Sequence, residues 1–164
     1  MHFVAILKAI LRGNEIDWQA KLDSAESALR HDPDGRDAGR RRAQAIGGLG
    51  RLDEAFALLK AHVARFADDG RAWDLLCAYL CDQERYAAAI EAGSNAVVHS
   101  DSLIPHYNRA CAHALAGNTE QALDDLRIAI PCDEWLRGHA REDESFAALR
   151  DNAEFQTIVA PVGR

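Results

Sequence analysis

The sequence predicts an all-α protein, an α-solenoid of stacked helix-turn-helix hairpins closed by capping helices at both ends. Three observations predict it. Apolar residues make up 48% of the 164 residues but aromatics only 7%, so alanine fills much of the apolar quota. Alanine is the best helix former and lets backbones approach, which favours packed helices over a sheet core. A turn followed by a helix start also recurs, at Gly50-Arg51-Leu52-Asp53-Glu54-Ala55, Glu84-Arg85-Tyr86-Ala87-Ala88-Ala89 and Gly117-Asn118-Thr119-Glu120-Gln121-Ala122. Ala55 to Ala89 is 34 residues, and Ala89 to Ala122 is 33. Finally, each of the four prolines (Pro33, Pro105, Pro131 and Pro161) stands where a helix would start or stop.

Met1 to Arg12 reads as a short helix ended by Gly13-Asn14. Phe3, Ile6, Leu7, Ile10 and Leu11 share one stripe at helical spacing. No basic segment precedes this stretch and no small-residue cleavage site follows it, so it makes a poor signal peptide. It is also too short to span a bilayer. Asp17 to His31 is the second helix, with Trp18, Leu22, Ala25, Ala28 and Leu29, and Asp32-Pro33-Asp34-Gly35 ends it with turn chemistry. Ala43 and Ile46 then mark the packing face of one hairpin's first helix, and Trp73, Leu76, Cys77 and Leu80 that of the next. Residues 104 to 131 form two further helices joined at Ala116-Gly117-Asn118. Small residues there (Ala110, Ala112, Ala114, Ala122, Ala129) alternate with Tyr107, Leu115, Leu123, Leu126, Ile128 and Ile130. Such a hairpin cannot bury its apolar face alone and must stack on neighbours like itself.

These spacings resemble the tetratricopeptide repeat, a 34-residue helix-turn-helix, and the resemblance implies a right-handed solenoid. The resemblance is carried by Trp73, Leu76, Tyr86, Ala89 and Ala96 in one unit, and by Gly50, Leu52, Ala55 and Leu59 in the unit before. Tyr107, Asn108, Ala110, Gly117, Ala122, Ala129 and Ile130 carry it in the unit after. The expected division is a degenerate first repeat or cap at 1–34, in which Lys21 replaces the usual Ala. Repeats follow at 35–68, 69–102 and 103–131, and a C-terminal cap at 132–164. In that tail, Leu136-Arg137-Gly138-His139-Ala140-Arg141-Glu142-Asp143 precedes Phe146, Leu149-Arg150-Asp151 and Phe155. It is similar to the end-of-group segment that closes some bacterial tetratricopeptide arrays. An array end exposes an apolar face, which Phe146, Leu149, Phe155, Ile158 and Val159 would cover. Asp143 and Asp151-Asn152 are expected to cap helices.

Charge and composition narrow the function. The net charge is -7 and the pI about 5.4, which argues against nucleic-acid binding through a basic footprint. Cys77, Cys81, Cys111 and Cys132 fall in or at the ends of helices. A chain of this size needs no staples, so reduced thiols in a cytoplasmic protein are expected. Cys77 and Cys81 share a helix face, and His106, Cys111 and His113 lie on the next unit's first helix. A zinc site across the two is outweighed by packing, because the spacing is not Cys-x-x-Cys and cysteine behaves as a small hydrophobe. No metal or cofactor is expected. Gly47-Gly48-Leu49-Gly50 reads as an inter-helix turn rather than a phosphate loop, since no strand precedes it and no Lys-Ser/Thr follows. No Ser-His-Asp, Cys-His or paired-carboxylate arrangement falls on facing helices, so an enzyme is not expected.

The resemblance implies that the first helix of each hairpin lines a concave groove. Arg40 would face it, from the cluster Arg36, Arg40, Arg41 and Arg42, and Arg71 would extend the patch toward a partner carboxylate. For any one arginine the competing reading is a solvated helix face paired with Asp34 and Asp37. Gln44, Asp74, Ala78, Tyr107, Asn108, Cys111 and Leu115 complete the candidate lining, with Tyr107 and Asn108 foremost. Trp73 matches the repeat's own aromatic position and is read as core. Some family members clamp a C-terminal carboxylate. Asn108 matches one position of that clamp, but Leu75 and Ile104 break others.

The expected function is a scaffold that binds a protein or peptide segment in the groove without catalysis. The partners would include neither nucleic acid nor membrane, and the chain would be a monomer or weak homodimer. The alternatives are self-association through Phe3, Ile6, Leu7 and Ile10, or a thiol- or metal-dependent regulator built on Cys77, Cys81 and Cys111.

Overall fold

A computed structural model of the chain describes residues 16–130 and 134–161. The apolar stripe from Phe3 to Leu11 and Cys132 lie outside them. Every regular element among the described residues is helical. In chain order they are α1 (Trp18–His31), α2 (Arg36–Gly48), α3 (Leu52–Arg65), α4 (Gly70–Asp82), α5 (Tyr86–Val98), α6 (Ile104–Leu115) and α7 (Thr119–Ala129). Then come α8 (Glu134–Glu142), a short 3-10 helix (Glu144–Leu149) and α9 (Ala153–Val159). None of the described helices is long and apolar enough to cross a membrane.

Three hairpins, α2–α3, α4–α5 and α6–α7, repeat one design. Each is joined by the same turn, and the turn explains the period seen in the sequence. Gly50, Glu84 and Gly117 all adopt left-handed φ, at 84, 56 and 80°. Each amide donates three residues back, and the next amide (Arg51, Arg85, Asn118) donates five back, to Ile46, Leu80 and His113. This is the Schellman ending, which satisfies the last carbonyls of the first helix. The small residue that follows in each second helix, Ala55, Ala89 or Ala122, has no exposed surface. Its lack of a side chain beyond Cβ lets the paired helices come close.

Asp17 and Asp69 start α1 and α4 as side-chain caps, accepting from Ala20 N and Ala72 N. Pro105 sits in the first turn of α6, where a missing N–H costs nothing. Gly47 and Gly48, expected in a turn, are the last residues of α2. Neighbouring rings explain their size. A Cβ on Gly47 would lie 1.8 Å from Tyr79 Oη, and one on Gly48 would lie 2.2 Å from the Trp18 indole.

The core has two parts. Leu22, Ile46, Leu59, Leu76 and Leu80 belong to the first, with Trp18 and Trp73 packed against it. The second joins the last hairpin to the tail: Tyr107, Leu123, Leu126 and Ile130 meet Leu136, Phe146, Leu149, Phe155 and Val159, with Ile158 alongside. Phe146, Leu149, Phe155 and Val159 of the tail therefore pack on the last hairpin, with Ile158 beside them. Asp143 caps the 3-10 helix and Asn152 caps α9. Arg137 and Arg141 close the other end of α9 by donating to the carbonyls of Ile158, Ala160 and Val159.

Candidate partner-binding groove

Asp74 and Asn108 join the first helices of two successive hairpins. Asn108 Nδ2 donates to Asp74 Oδ1 over 2.8 Å, from α6 to α4. Both residues are half-buried. Burial pushes the Asp74 carboxyl up to about 6, against the smaller opposing effect of the Asn108 hydrogen bond. Gln44, Ala78 and Cys111 are half-buried as well, and Arg71 is exposed. Leu115 is half-buried and packs against the first core.

Two of the expected groove residues are placed elsewhere. Arg40 is only 8% exposed. It pairs with Asp37 on its own helix and approaches Asp69 at 3.6 Å, beside His62, whose Nε2 lies 2.9 Å from the same carboxylate. Arg40 thus ties α2 to the α3–α4 junction rather than facing a partner. Its neighbours are also engaged: Arg36 with Asp68 and Asp69, Arg41 with Asp37, Arg42 with Glu26. The competing reading of a paired helix face therefore describes this cluster, with Asp37 as one partner and Asp34 taken by Arg65 instead.

Tyr107 has no exposed surface. Its hydroxyl donates to Asp143 Oδ2, and its ring meets Phe146 edge-on at 5.5 Å. It is the seat of the tail, not a groove contact. Cys111 Sγ lies 3.8 Å from the same Asp143 oxygen.

The Cys77 and Cys111 thiols are poor nucleophiles where they stand. A hydrogen bond to Cys81 and burial push the Cys77 thiol up, and burial together with the Asp143 charge does so at Cys111. Among the described residues, no group of three or more His, Cys, Asp or Glu side chains could hold a metal ion.

One buried cluster escaped the sequence reading. Asp125 on α7 is buried, accepts two hydrogen bonds from Arg109 at 2.7 Å each, and lies 2.8 Å from His106 Nδ1. Arg109 also donates to Ser94 on α5. The available signal was the three-residue spacing of His106 and Arg109 on one helix face opposite an acid in an otherwise apolar register. Asp69 with Arg40 and His62 repeats the same chemistry one end earlier in the stack.

No protein-family model matches the chain, and no curated protein does. Among solved structures, the crystal structure of MamA superposes with a TM-score of 0.67 at 17% identity, covering 93% of this chain and 91% of that one. A double mutant described as MamA RS-1 ArsTM gives 0.68 at 16% identity, with 93% and 86% covered. A chain of the CopN-Scc3 complex gives 0.55 at 19%, with 88% and 81% covered. These neighbours are helical solenoids of the tetratricopeptide type, and the likeness assigns this chain the same fold.

Proposed function

We propose that the chain is a protein-interaction scaffold that holds a partner segment along the first helices of its hairpins, α2, α4 and α6, without turnover. The observation that carries this reading is the Asp74–Asn108 bridge. It sets a half-buried polar pair across two successive hairpins, on a surface that also presents Ala78 and Cys111. A preformed surface of polar pairs beside small residues suits a docked helix or extended peptide, since little side-chain ordering remains to be done on binding. The likeness to a chain from a two-protein complex, CopN-Scc3, supports a binding role. Gln44, Arg71, Asp74, Ala78, Asn108 and Cys111 are the proposed contacts.

Site-specific photo-crosslinking tests it. A photoreactive residue replaces Ala78 in the groove, or Ile128, which is exposed on α7. The reading expects a protein adduct from position 78 that is absent from 128 and is weakened by Asn108→Ala. Equal adducts from both positions, unaffected by Asn108→Ala, would place binding on another face.

A further inference from the structure

We propose that the groove selects a partner segment presenting a lysine or arginine side chain, which docks on the Asp74 carboxylate between α4 and α6. This deepens the scaffold reading and rests on it.

Three carboxylates of the stack, Asp69, Asp125 and Asp74, are treated differently. Asp69 has Arg40 and Arg36 beside it and His62 at 2.9 Å. Asp125 has both Arg109 and His106. Each is neutralised within the chain, as a carboxylate drawn out of water requires. Asp74 has only the neutral amide of Asn108, which occupies Oδ1. Among the described residues no cation lies within 4 Å of it. Arg71, three residues earlier on α4 and so within reach, stays exposed and does not pair with it. Among the described residues, Asp74 is thus a half-buried carboxylate with no cation beside it, on the surface proposed for docking.

The surroundings suit an incoming cation. Asn108 fixes the carboxylate's orientation by holding Oδ1, so less ordering remains for an incoming partner. Ala78, one turn along α4, keeps the approach low. A guanidinium or ammonium is the group that neutralises such a site, and its pairing with a carboxylate is strengthened where water is partly excluded. An acidic segment would add a second negative charge to one already desolvated, which works against it.

The test uses the full chain, labelled with nitrogen-15, and three pools of nine-residue peptides at pH 7.5. The pools differ only in a central Arg, Glu or Ala. The proposal expects the Arg pool to shift the amides of Asp74, Ala78 and Asn108 at concentrations about ten-fold lower than the other two, the effect of one charge-assisted pair. Asp74→Asn keeps an acceptor for Asn108 and should bind all three pools alike. Asp74→Ser is a second variant with the same expectation, and Ile128→Ser, on the exposed face of α7, should leave the preference intact. An Arg preference that survives Asp74→Asn, or Glu or Ala pools that shift the groove as readily as Arg, overturns the proposal while scaffold binding stands. If no pool moves these amides, the groove reading falls and this proposal with it.

Discussion

Tyr107 donates its phenolic proton to Asp143 across 2.9 Å of space and 36 positions of sequence. That bond locks the tail to the last hairpin, because Asp143 also accepts from Ser145 N to start the 3-10 helix and receives the Cys111 thiol. Tyr107→Phe should therefore lower stability by about 1–3 kcal/mol, the cost of a lost hydrogen bond to a buried acceptor. Urea unfolding of Tyr107→Phe, Asp143→Ala and the double variant checks it. The cycle should show the two residues coupled by more than about 0.5 kcal/mol, and additive effects would mean that the bond does not hold the tail.

Asp69 and Asp125 should control acid stability. Burial raises each carboxyl, but the bonds and charges around it outweigh that: His62, the Ala72 amide and Arg40 at one, Arg109 and His106 at the other. Both therefore titrate below the ordinary carboxylate value in the folded chain. The unfolded chain binds protons more readily in that range, so the stabilisation is present above about pH 4 and is lost as pH falls through the folded values. Urea midpoints should drop steeply below about pH 4. Asp125→Asn should cost about 3 kcal/mol at pH 7, by leaving Arg109 without its partner, and should make the acid limb shallower. An unchanged limb would assign it to other carboxylates.

Asp74 should act in the opposite sense. Its folded value of about 6 lies above the unfolded one. The folded chain holds the extra proton between about pH 4 and that value, so stability falls as pH rises through the window and the full penalty remains at neutral pH. Asp74→Asn should raise stability at pH 7.5 by about 2 kcal/mol and flatten the curve between pH 4 and 6. Thermal melts across that range measure it. A variant less stable than the parent at pH 7.5 would show that the carboxylate serves the fold.

Glu84 occupies the left-handed position that Gly50 and Gly117 fill in the other two turns. A side chain there strains the backbone by about 1–2 kcal/mol. Glu84→Gly should recover about 0.5–1 kcal/mol after the entropy that glycine adds to the unfolded chain. Gly50→Ala, with open space around its Cβ position, should lose about 1 kcal/mol through φ alone. Chemical denaturation of both decides. Equal stabilities would show that the turn relaxes around a side chain.

The sequence alone determined the helical class, the repeat period and the turns. These depend on neighbours a few residues apart: alanine content, glycine after a helix, a capping Asp or Asn. The order and spacing of Phe146, Leu149, Phe155, Ile158 and Val159 likewise announced a closing segment, since an apolar helical stripe must be covered whatever its partner. Only the tertiary structure decided which polar side chains stay available. Arg40 and Tyr107 stand in register with groove residues, yet each is claimed by a carboxylate distant in sequence, Asp69 or Asp143. A helix in a stack touches neighbours on several sides. The 3.6-residue period places a residue on a face but does not say which neighbour that face meets, nor whether an oppositely charged partner waits there. Asp74 shows the same limit from the other side: no local pattern could reveal that it, unlike Asp69 and Asp125, has no cation beside it among the described residues.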